Sequence, residues 1–238
     1  MLDKKRGYAY TRPFWNVDPN VNIQAGMIAF LTTSGGVVVA TTAASGTVPV
    51  GTFWKDRSNG FVRSTIENLT FNTNNIVTAS KGNFLSTGNV RVANTAGTTV
   101  YNQGTDYTVT TANGVITRIV GGSISASQTV MVSYLYTVSS TGVYWDNVST
   151  KWSTGWNYDR QPDDTLGSSK ITLVTGDAIL FTDQYDVNQT YTLNQQLYAN
   201  AASQWTNQAG TTSSCGRVVQ VPTAADPWLG VQQVTVVS

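Results

Sequence analysis

Carboxylates are the first side chains to consider for chemistry, because the sequence contains no histidine. Glycoside hydrolases use two carboxylates about 5–9.5 Å apart as their catalytic pair. The candidates here are the neighbours Asp163 and Asp164 and, further along, Asp177, Asp183 and Asp186. Adjacent residues on a strand point to opposite faces, and the residues around these aspartates are typical of turns. The pattern therefore gives weak support to a catalytic pair.

Other catalytic groups are missing or isolated. Without histidine, the chain lacks the commonest general base and the usual partner of a serine or cysteine nucleophile. Cys215 is the only cysteine, so it forms neither an internal disulfide nor a cysteine zinc site, and Arg217, expected on the same side of a strand, is a weak activator. Glu67 is the only glutamate and is remote in sequence from the aspartates, which argues against a calcium site. We expect no enzyme, no cofactor and no metal.

Composition and charge narrow the class of protein further. Charged residues make up 11% of the chain, less than half of the roughly 25% of an ordinary domain. The net charge of +1 with scattered Lys and Arg argues against a nucleic-acid binder. No apolar run reaches the roughly 18 residues of a membrane span, and the start lacks the apolar core of a signal peptide. We expect a protein made in a cytoplasm that binds neither nucleic acid nor membrane.

The elements that must position these residues are strands. Short apolar runs bounded by Gly, Pro, Ser and Asn recur along the chain, whereas helical periodicity is weak. We predict an all-β fold with an extended N-terminal arm (1–22) and a small β-barrel or β-tulip-like domain built from both chain ends (23–63 and 139–238). An inserted Ig-like β-sandwich (64–138) completes the prediction, because its strands recur every 8–12 residues or so.

Two local features are predicted inside the insert. Asn113-Gly114 is a strong signal for a hairpin turn. Further along, apolar and aromatic residues alternate with others, which favours a half-buried edge or surface strand. The alternating residues are Val130, Val132, Tyr134 and Tyr136, interleaved with Met131, Ser133 and Leu135.

The N-terminal arm is the first candidate interaction surface. Ordering about a dozen residues costs roughly 12–24 kcal/mol, and burying its four aromatic side chains returns roughly 15–25 kcal/mol. Because the two nearly cancel, the arm is ordered only against a ready-made groove, on its own barrel or on a neighbouring subunit. The candidate contact residues are Arg6, Tyr8, Tyr10, Arg12, Phe14 and Trp15.

A second candidate surface lies in the aromatic stretch after the insert, where Trp and Tyr stand among Asn, Asp, Ser and Gly. Exposed aromatic residues mark surfaces that bind protein or sugar. The candidates are Tyr144, Trp145, Trp152, Trp156 and Tyr158, whereas Trp54 and Trp228 are assigned to the core. This stretch supports an alternative reading of the chain as a carbohydrate-binding or receptor-binding module.

Several of these runs resemble known phage proteins. NIQAGMIAFL (22–31), VVVAT (37–41) and VPVG (48–51) resemble the opening of tailed-bacteriophage head decoration, or cement, proteins. GDAILFTDQYDV (176–187), YTLNQQLYAN (191–200) and WLGVQQV (228–234) resemble the closing strands of the same domain. The middle segments VYNQGTDYTV (100–109), GVITRI (114–119) and VMVSYLY (130–136) resemble immunoglobulin-like modules of phage virion proteins.

The resemblance implies a structural virion protein that binds the outer surface of an assembled, expanded capsid and stabilises it. The implied partners are the major capsid protein and neighbouring copies of the chain itself, as a homotrimer or as monomers. The Ig-like insert would project outward and make weak contact with host-surface glycans. Because this chain is longer than many such proteins, a tail, baseplate or fibre component, or a receptor- or glycan-binding module, remains the alternative.

Overall fold

The computed structural model describes residues 2–7, 10–16, 23–31, 37–39, 48–53, 61–138, 143–146, 151–154, 170–210 and 213–234. These residues form strands and one short 3₁₀ helix (Thr87–Asn89), and no α-helix occurs in the described ranges. The strands make several antiparallel sheets, including a half-barrel. The predicted all-β fold class is therefore confirmed.

The strands, in chain order, are β1 (Leu2–Gly7), β2 (Tyr10–Asn16), β3 (Ile28–Leu31), β4 (Val37–Val39), β5 (Val48–Phe53), β6 (Phe61–Thr70), β7 (Ile76–Thr78), β8 (Val90–Asn94), β9 (Tyr107–Thr110), β10 (Val115–Arg118), β11 (Thr129–Val138), β12 (Val143–Asp146), β13 (Lys151–Thr154), β14 (Lys170–Thr175), β15 (Ala178–Thr182), β16 (Gln196–Ala199), β17 (Trp205–Thr206), β18 (Gly216–Gln220) and β19 (Leu229–Gln233).

The chain divides into two compact units. The discontinuous unit comprises Met1–Asn59, Trp156–Pro222 and Trp228–Ser238. The central unit comprises Gly60–Gly155 together with Thr223–Pro227. Residues from both chain ends thus meet in one unit, while a long internal segment forms the other.

Two antiparallel sheets make up the described part of the discontinuous unit. One has six strands in the order β1-β15-β19-β18-β16-β17, and the other has five in the order β2-β14-β5-β3-β4. Only Gly176 and Asp177 separate β14 from β15, and β1 and β2 pair antiparallel with β15 and β14. The N-terminal segment and this hairpin therefore form one ribbon that passes from the first sheet to the second, as strands do at the corners of packed sheets.

A tight turn at the start of β3 connects the two sheets of this unit. Met27 N–H donates to Gln24 C=O (3.1 Å), and Gly26 takes φ +93°, the left-handed region that glycine tolerates best. The Gly26 carbonyl accepts a hydrogen bond from the indole Nε1 of Trp205 (3.0 Å) in the six-stranded sheet. The apolar side chains around the turn are fully buried, namely Ile23, Ala25, Ile28, Ala29, Phe53 and Leu173.

The central unit holds its own core between two three-stranded sheets, ordered β6-β11-β8 and β7-β10-β9. Fourteen buried residues from both sheets and their connections form one apolar cluster, namely Phe71, Val77, Ala79, Phe84, Val90, Val92, Tyr101, Tyr107, Ile116, Ile124, Val130, Val132, Tyr134 and Tyr136. This core is contained between residues 71 and 136. A separate two-stranded sheet, β12-β13, belongs to the same unit.

The structure tests both local predictions made inside this segment. β9 and β10 form an antiparallel hairpin whose connection ends at Asn113-Gly114, with Gly114 at φ +65°, so the predicted turn is confirmed. The predicted edge position of β11 is wrong, because β11 pairs with β6 on one side and β8 on the other. The alternation identified a buried face, but it carries no information about how many strands flank it.

Candidate interaction sites

The N-terminal segment forms the outer strand of both sheets in the discontinuous unit. β1 ends the described six-stranded sheet and β2 ends the described five-stranded sheet. Five of the six predicted arm residues lie in these strands, namely Arg6 in β1 and Tyr10, Arg12, Phe14 and Trp15 in β2, whereas Tyr8 lies outside the described residues. The segment was predicted to lie in a groove on its own barrel or on a neighbouring subunit. In the structure its backbone pairs with β15 and β14 of its own chain.

Both outer strands are interrupted by bulges. On β1, Lys4 faces Leu180 and Arg6 faces Ile179, so Lys5 is an extra residue. On β2, three steps from Arg12 to Trp15 match two steps on β14, and Pro13 lies within this irregularity. Proline donates no backbone hydrogen bond and is confined to edges and bulges of sheets. Lysines, proline and bulges are features with which proteins protect exposed sheet edges from indiscriminate pairing.

The aromatic stretch contributes a two-stranded ribbon to the central unit. β12 and β13 pair antiparallel with Trp145 opposite Trp152 and Tyr144 opposite Ser153. Register partners in an antiparallel pair lie on the same face, so the two tryptophan positions share one face of the ribbon. Trp156 and Tyr158 lie outside the described residues. The structure thus brings together two of the five predicted aromatic positions.

The tryptophans predicted to lie in the core differ from the one that is buried among the described residues. Trp54 lies outside the described residues, and Trp228 is only half-buried, so its assignment to the core is wrong. Trp205, which sequence reasoning did not single out, is 1% exposed and donates to the Gly26 carbonyl. Its flanking residues, Gln204 and Thr206, are polar yet buried, which is why the local pattern gave no signal of a core position.

The predicted aspartates have structural surroundings where the chain is described. Asp163 and Asp164 lie outside the described residues. Asp177 is exposed in the connection between β14 and β15, whereas Asp183 is buried and accepts from Gln184 Nε2 (3.1 Å). Asp186 begins a turn, since its Oδ1 accepts the backbone N–H of Asn188 (3.0 Å). In the described ranges, no group of three or more potential ligand residues is arranged to hold a metal ion.

Glu67 forms a polar cluster that sequence reasoning missed. Its carboxylate accepts hydrogen bonds from Ser80 N–H (3.0 Å), from Ser80 Oγ (2.6 Å) and from the Tyr134 hydroxyl. The Tyr134 hydroxyl in turn accepts from Lys81 N–H (3.2 Å). Burial first, and the charge of Glu67 second, hold the pKa of Tyr134 well above its usual value. The residues come from distant parts of the chain, so only the pairing of β6 with β11 makes the cluster visible.

Asp106 clamps two loops of the central unit in a similar way. Its carboxylate accepts the backbone N–H groups of Asn102 and Ser123, each at 2.7 Å. These two hydrogen bonds, with that of Asn102 the larger effect, lower the pKa of Asp106. A carboxylate that accepts two backbone N–H groups from different loops holds those loops together and is stabilised in its charged form.

Cys215 is buried and chemically quiet. Its side chain is 2% exposed, its Sγ lies 3.5 Å from the Leu197 carbonyl, and burial raises the pKa of the thiol to about 12. Arg217 is exposed, so the expectation that it lies on the same side as the thiol is wrong. The reason is that β18 begins at Gly216, after the cysteine. Cys215 lines a cavity of about 10 Å³ with Trp205 and Gln233, room for one water at most.

Comparison of the chain with protein-family models, curated proteins and solved structures gave no match in any of the three. Within the described ranges, no helix has the length and apolar character needed to cross a membrane.

Proposed function

We propose that the chain is a structural virion protein that binds the outer surface of an assembled phage capsid and stabilises it. The observation that carries the proposal is the position of the N-terminal segment. This one segment lies along the edge of both sheets of the discontinuous unit, where its outer side borders no other described strand. A segment in that position can contact a neighbouring subunit while its inner side stays paired with its own sheets.

The motif that carries the family resemblance has a defined role in the fold. Ile-Gln-Ala-Gly at 23–26 supplies three of the four residues of the turn closed by Met27 N–H and Gln24 C=O, and its Gly26 carbonyl accepts a hydrogen bond from the Trp205 indole. Its conformation depends on the glycine, since φ at Gly26 is +93°. This supports the resemblance at the level of a structural signature, because a motif that forms a fold-determining turn is one that related folds would share.

The physics of capsid stabilisation suits such a protein. A protein that binds only the assembled lattice stabilises that lattice by mass action. Binding of this kind needs an extended complementary surface, typically 1,200–2,000 Å² in total for a stable complex. Two sheet-rich units and a segment lying along the sheet edges provide extended surfaces of this type.

Cosedimentation with expanded capsids that lack this protein tests the proposal. The purified full chain should bind to saturation, and the loaded capsids should withstand heating better than bare capsids. Unexpanded procapsids serve as the control, because a protein that recognises the mature lattice should bind them far more weakly. Absence of saturable binding to expanded capsids would contradict the proposal.

A receptor- or glycan-binding role is the second candidate, favoured by the Trp145 and Trp152 register pair on the β12-β13 ribbon. Two aromatic residues on one face suit stacking against a sugar ring, since aromatic side chains offer large contact area at low entropic cost. A glycan array tests this role with the double variant Trp145→Ala/Trp152→Ala. Tyr144→Ala is the matched control, because Tyr144 occupies the opposite face of the same ribbon. Silence of the wild-type chain on a broad array would exclude the role.

A further inference from the structure

Positive charge is concentrated in the two N-terminal edge strands. Residues 2–16 contain four of the 14 Lys and Arg residues and one of the 13 Asp and Glu residues, a net charge of +3. The remainder of the chain carries ten basic and twelve acidic residues, a net charge of −2. The basic residues are Lys4, Lys5 and Arg6 in β1 and Arg12 in β2. The edge strands therefore oppose the rest of the chain in sign.

This charge lies on strands whose outer sides border no other strand among the described residues. In an edge strand, alternate N–H and C=O groups point away from the sheet and can pair with an added extended segment. On β1, residues Leu2–Lys4 keep a regular register with Phe181 and its neighbours in β15, and the bulge at Lys5 follows. A short extended segment can thus pair with β1 before the bulge and meet the three consecutive basic residues at Lys4–Arg6.

The same charge selects among occupants of the edge. Two copies of the chain meeting β1 to β1 would bring like charges together, which disfavours pairing across a sheet edge. Duplex DNA is a weaker fit, because its phosphate oxygens can accept from the N–H groups of a strand edge but have no donor for the C=O groups beside them. An extended acidic segment of another protein satisfies both the charges and the backbone groups.

We infer that the outer edge of β1, with its basic residues Lys4, Lys5 and Arg6, is a docking site for a short, extended, acidic segment of the capsid shell protein. The inference rests on the proposed function and names the chemistry of its contact. Arg12, next to the bulge at Pro13, adds long-range attraction at the edge of the second sheet. Attraction between opposite charges at such a contact raises the association rate and makes binding sensitive to salt.

The test compares charge-neutralised variants in the capsid cosedimentation assay at about 50, 150 and 400 mM NaCl. Lys4→Gln/Lys5→Gln/Arg6→Gln should weaken binding to expanded capsids about tenfold at 150 mM, and its affinity should vary less with salt than that of the wild type. Lys5→Gln alone should show part of the effect. Arg217→Gln is the matched control, because Arg217 is an exposed basic residue on β18; it should bind as the wild type does. Thermal melting of each variant establishes that the fold is intact.

The outcomes separate this inference from the proposed function. Failure of the wild type to bind capsids at any salt concentration would overturn both. Wild-type affinity and salt dependence in the triple variant would overturn the docking site alone. If a 20-base-pair duplex DNA competed with capsids for the wild-type chain on equal terms, the ligand of the edge would be a polyanion and not an acidic protein segment. Self-association of the free wild-type chain in the ultracentrifuge, abolished by the triple variant while capsid binding persists, would assign the edge to a second copy instead.

Discussion

Gly26 is the residue whose side-chain space the fold restricts most clearly. Its φ of +93° lies in the left-handed region, and a Cβ built there would collide with Thr182 Oγ1. Gly26→Ala should therefore lower the free energy of unfolding by about 2 kcal/mol or more, since the backbone penalty alone is about 1–2 kcal/mol. Equilibrium unfolding in urea measures the loss.

Gly121 provides the control for that prediction. Its φ of +92° matches that of Gly26, but a Cβ there would meet no atom within 4 Å. Gly121→Ala pays only the conformational penalty, so it should lower stability by about 1 kcal/mol. Equal losses in the two variants would mean that crowding against Thr182 contributes nothing.

Cys215 leads to a prediction about pH. Burial raises the pKa of its thiol from 9.0 to about 12, so the folded state keeps the proton that the unfolded state releases. The stabilising contribution is complete below pH 9 and is lost as pH rises from 9 towards 12. A thiol reagent at pH 8 should leave the native protein unlabelled and should label it in urea. Cys215→Ala should remove the part of the alkaline destabilisation that is caused by the thiol. Rapid labelling of the native chain at pH 8 would contradict the burial of Cys215.

At the scale of elements, sequence patterns predicted strands and turns better than partners. The Asn113-Gly114 turn follows from local chemistry, because its glycine supplies the positive φ, and the structure has it. The central position of β11 does not follow, since Ser133 and Leu135 on its second face are buried at 3% exposure by elements distant in sequence. The Glu67 cluster was missed for the same reason. Its members become neighbours only after β6 and β11 pair.

The Glu67 cluster connects β6, β11 and the segment after β7, and Tyr134 is its buried member. Tyr134→Phe keeps the ring packed against Phe84 at a centroid distance of 4.5 Å, but it removes the hydroxyl that bonds Glu67 and Lys81 N–H. Losing the hydrogen bond to the charged Glu67 carboxylate together with the bond from Lys81 N–H should lower the stability of the variant by about 1–3 kcal/mol. Urea unfolding monitored by circular dichroism measures it.

Tyr198→Phe is the matched control for this element. Tyr198 is half-buried, and its hydroxyl bonds only the exposed side chain of Gln196 among the contacts observed for it (3.1 Å). Because water replaces such a bond readily, the change should alter stability by no more than about 0.5 kcal/mol. A loss as large as that of Tyr134→Phe would indicate that ring hydroxyls in general, and not the Glu67 cluster, stabilise the fold.

At the scale of the whole molecule, the sequence suggested an insert at 64–138, and contacts in the structure group 60–155 with 223–227. The two descriptions differ at the boundaries. β12 and β13 follow the strand-rich region as a separate ribbon. They belong to the central unit because of their contacts in the folded chain, which the sequence pattern does not indicate. Residues 223–227 also belong to the central unit, although they lie about 70 positions after the end of its continuous segment. No local sequence signal indicates that they do.

Residues 60–155 expressed alone should fold. All fourteen members of the central core lie between residues 71 and 136, and the segment meets the requirement of three or more strands with a buried face for independent stability. The isolated segment should give a strand-rich circular dichroism spectrum and a cooperative thermal transition.

Val132→Asp within it should abolish the transition, because Val132 is 0% exposed and an unpaired charge there has no partner in the apolar core. Linking 223–227 to the segment should raise the melting temperature, since those residues belong to the same unit. A disordered wild-type segment would mean that the core, although complete in sequence, depends on the discontinuous unit to form.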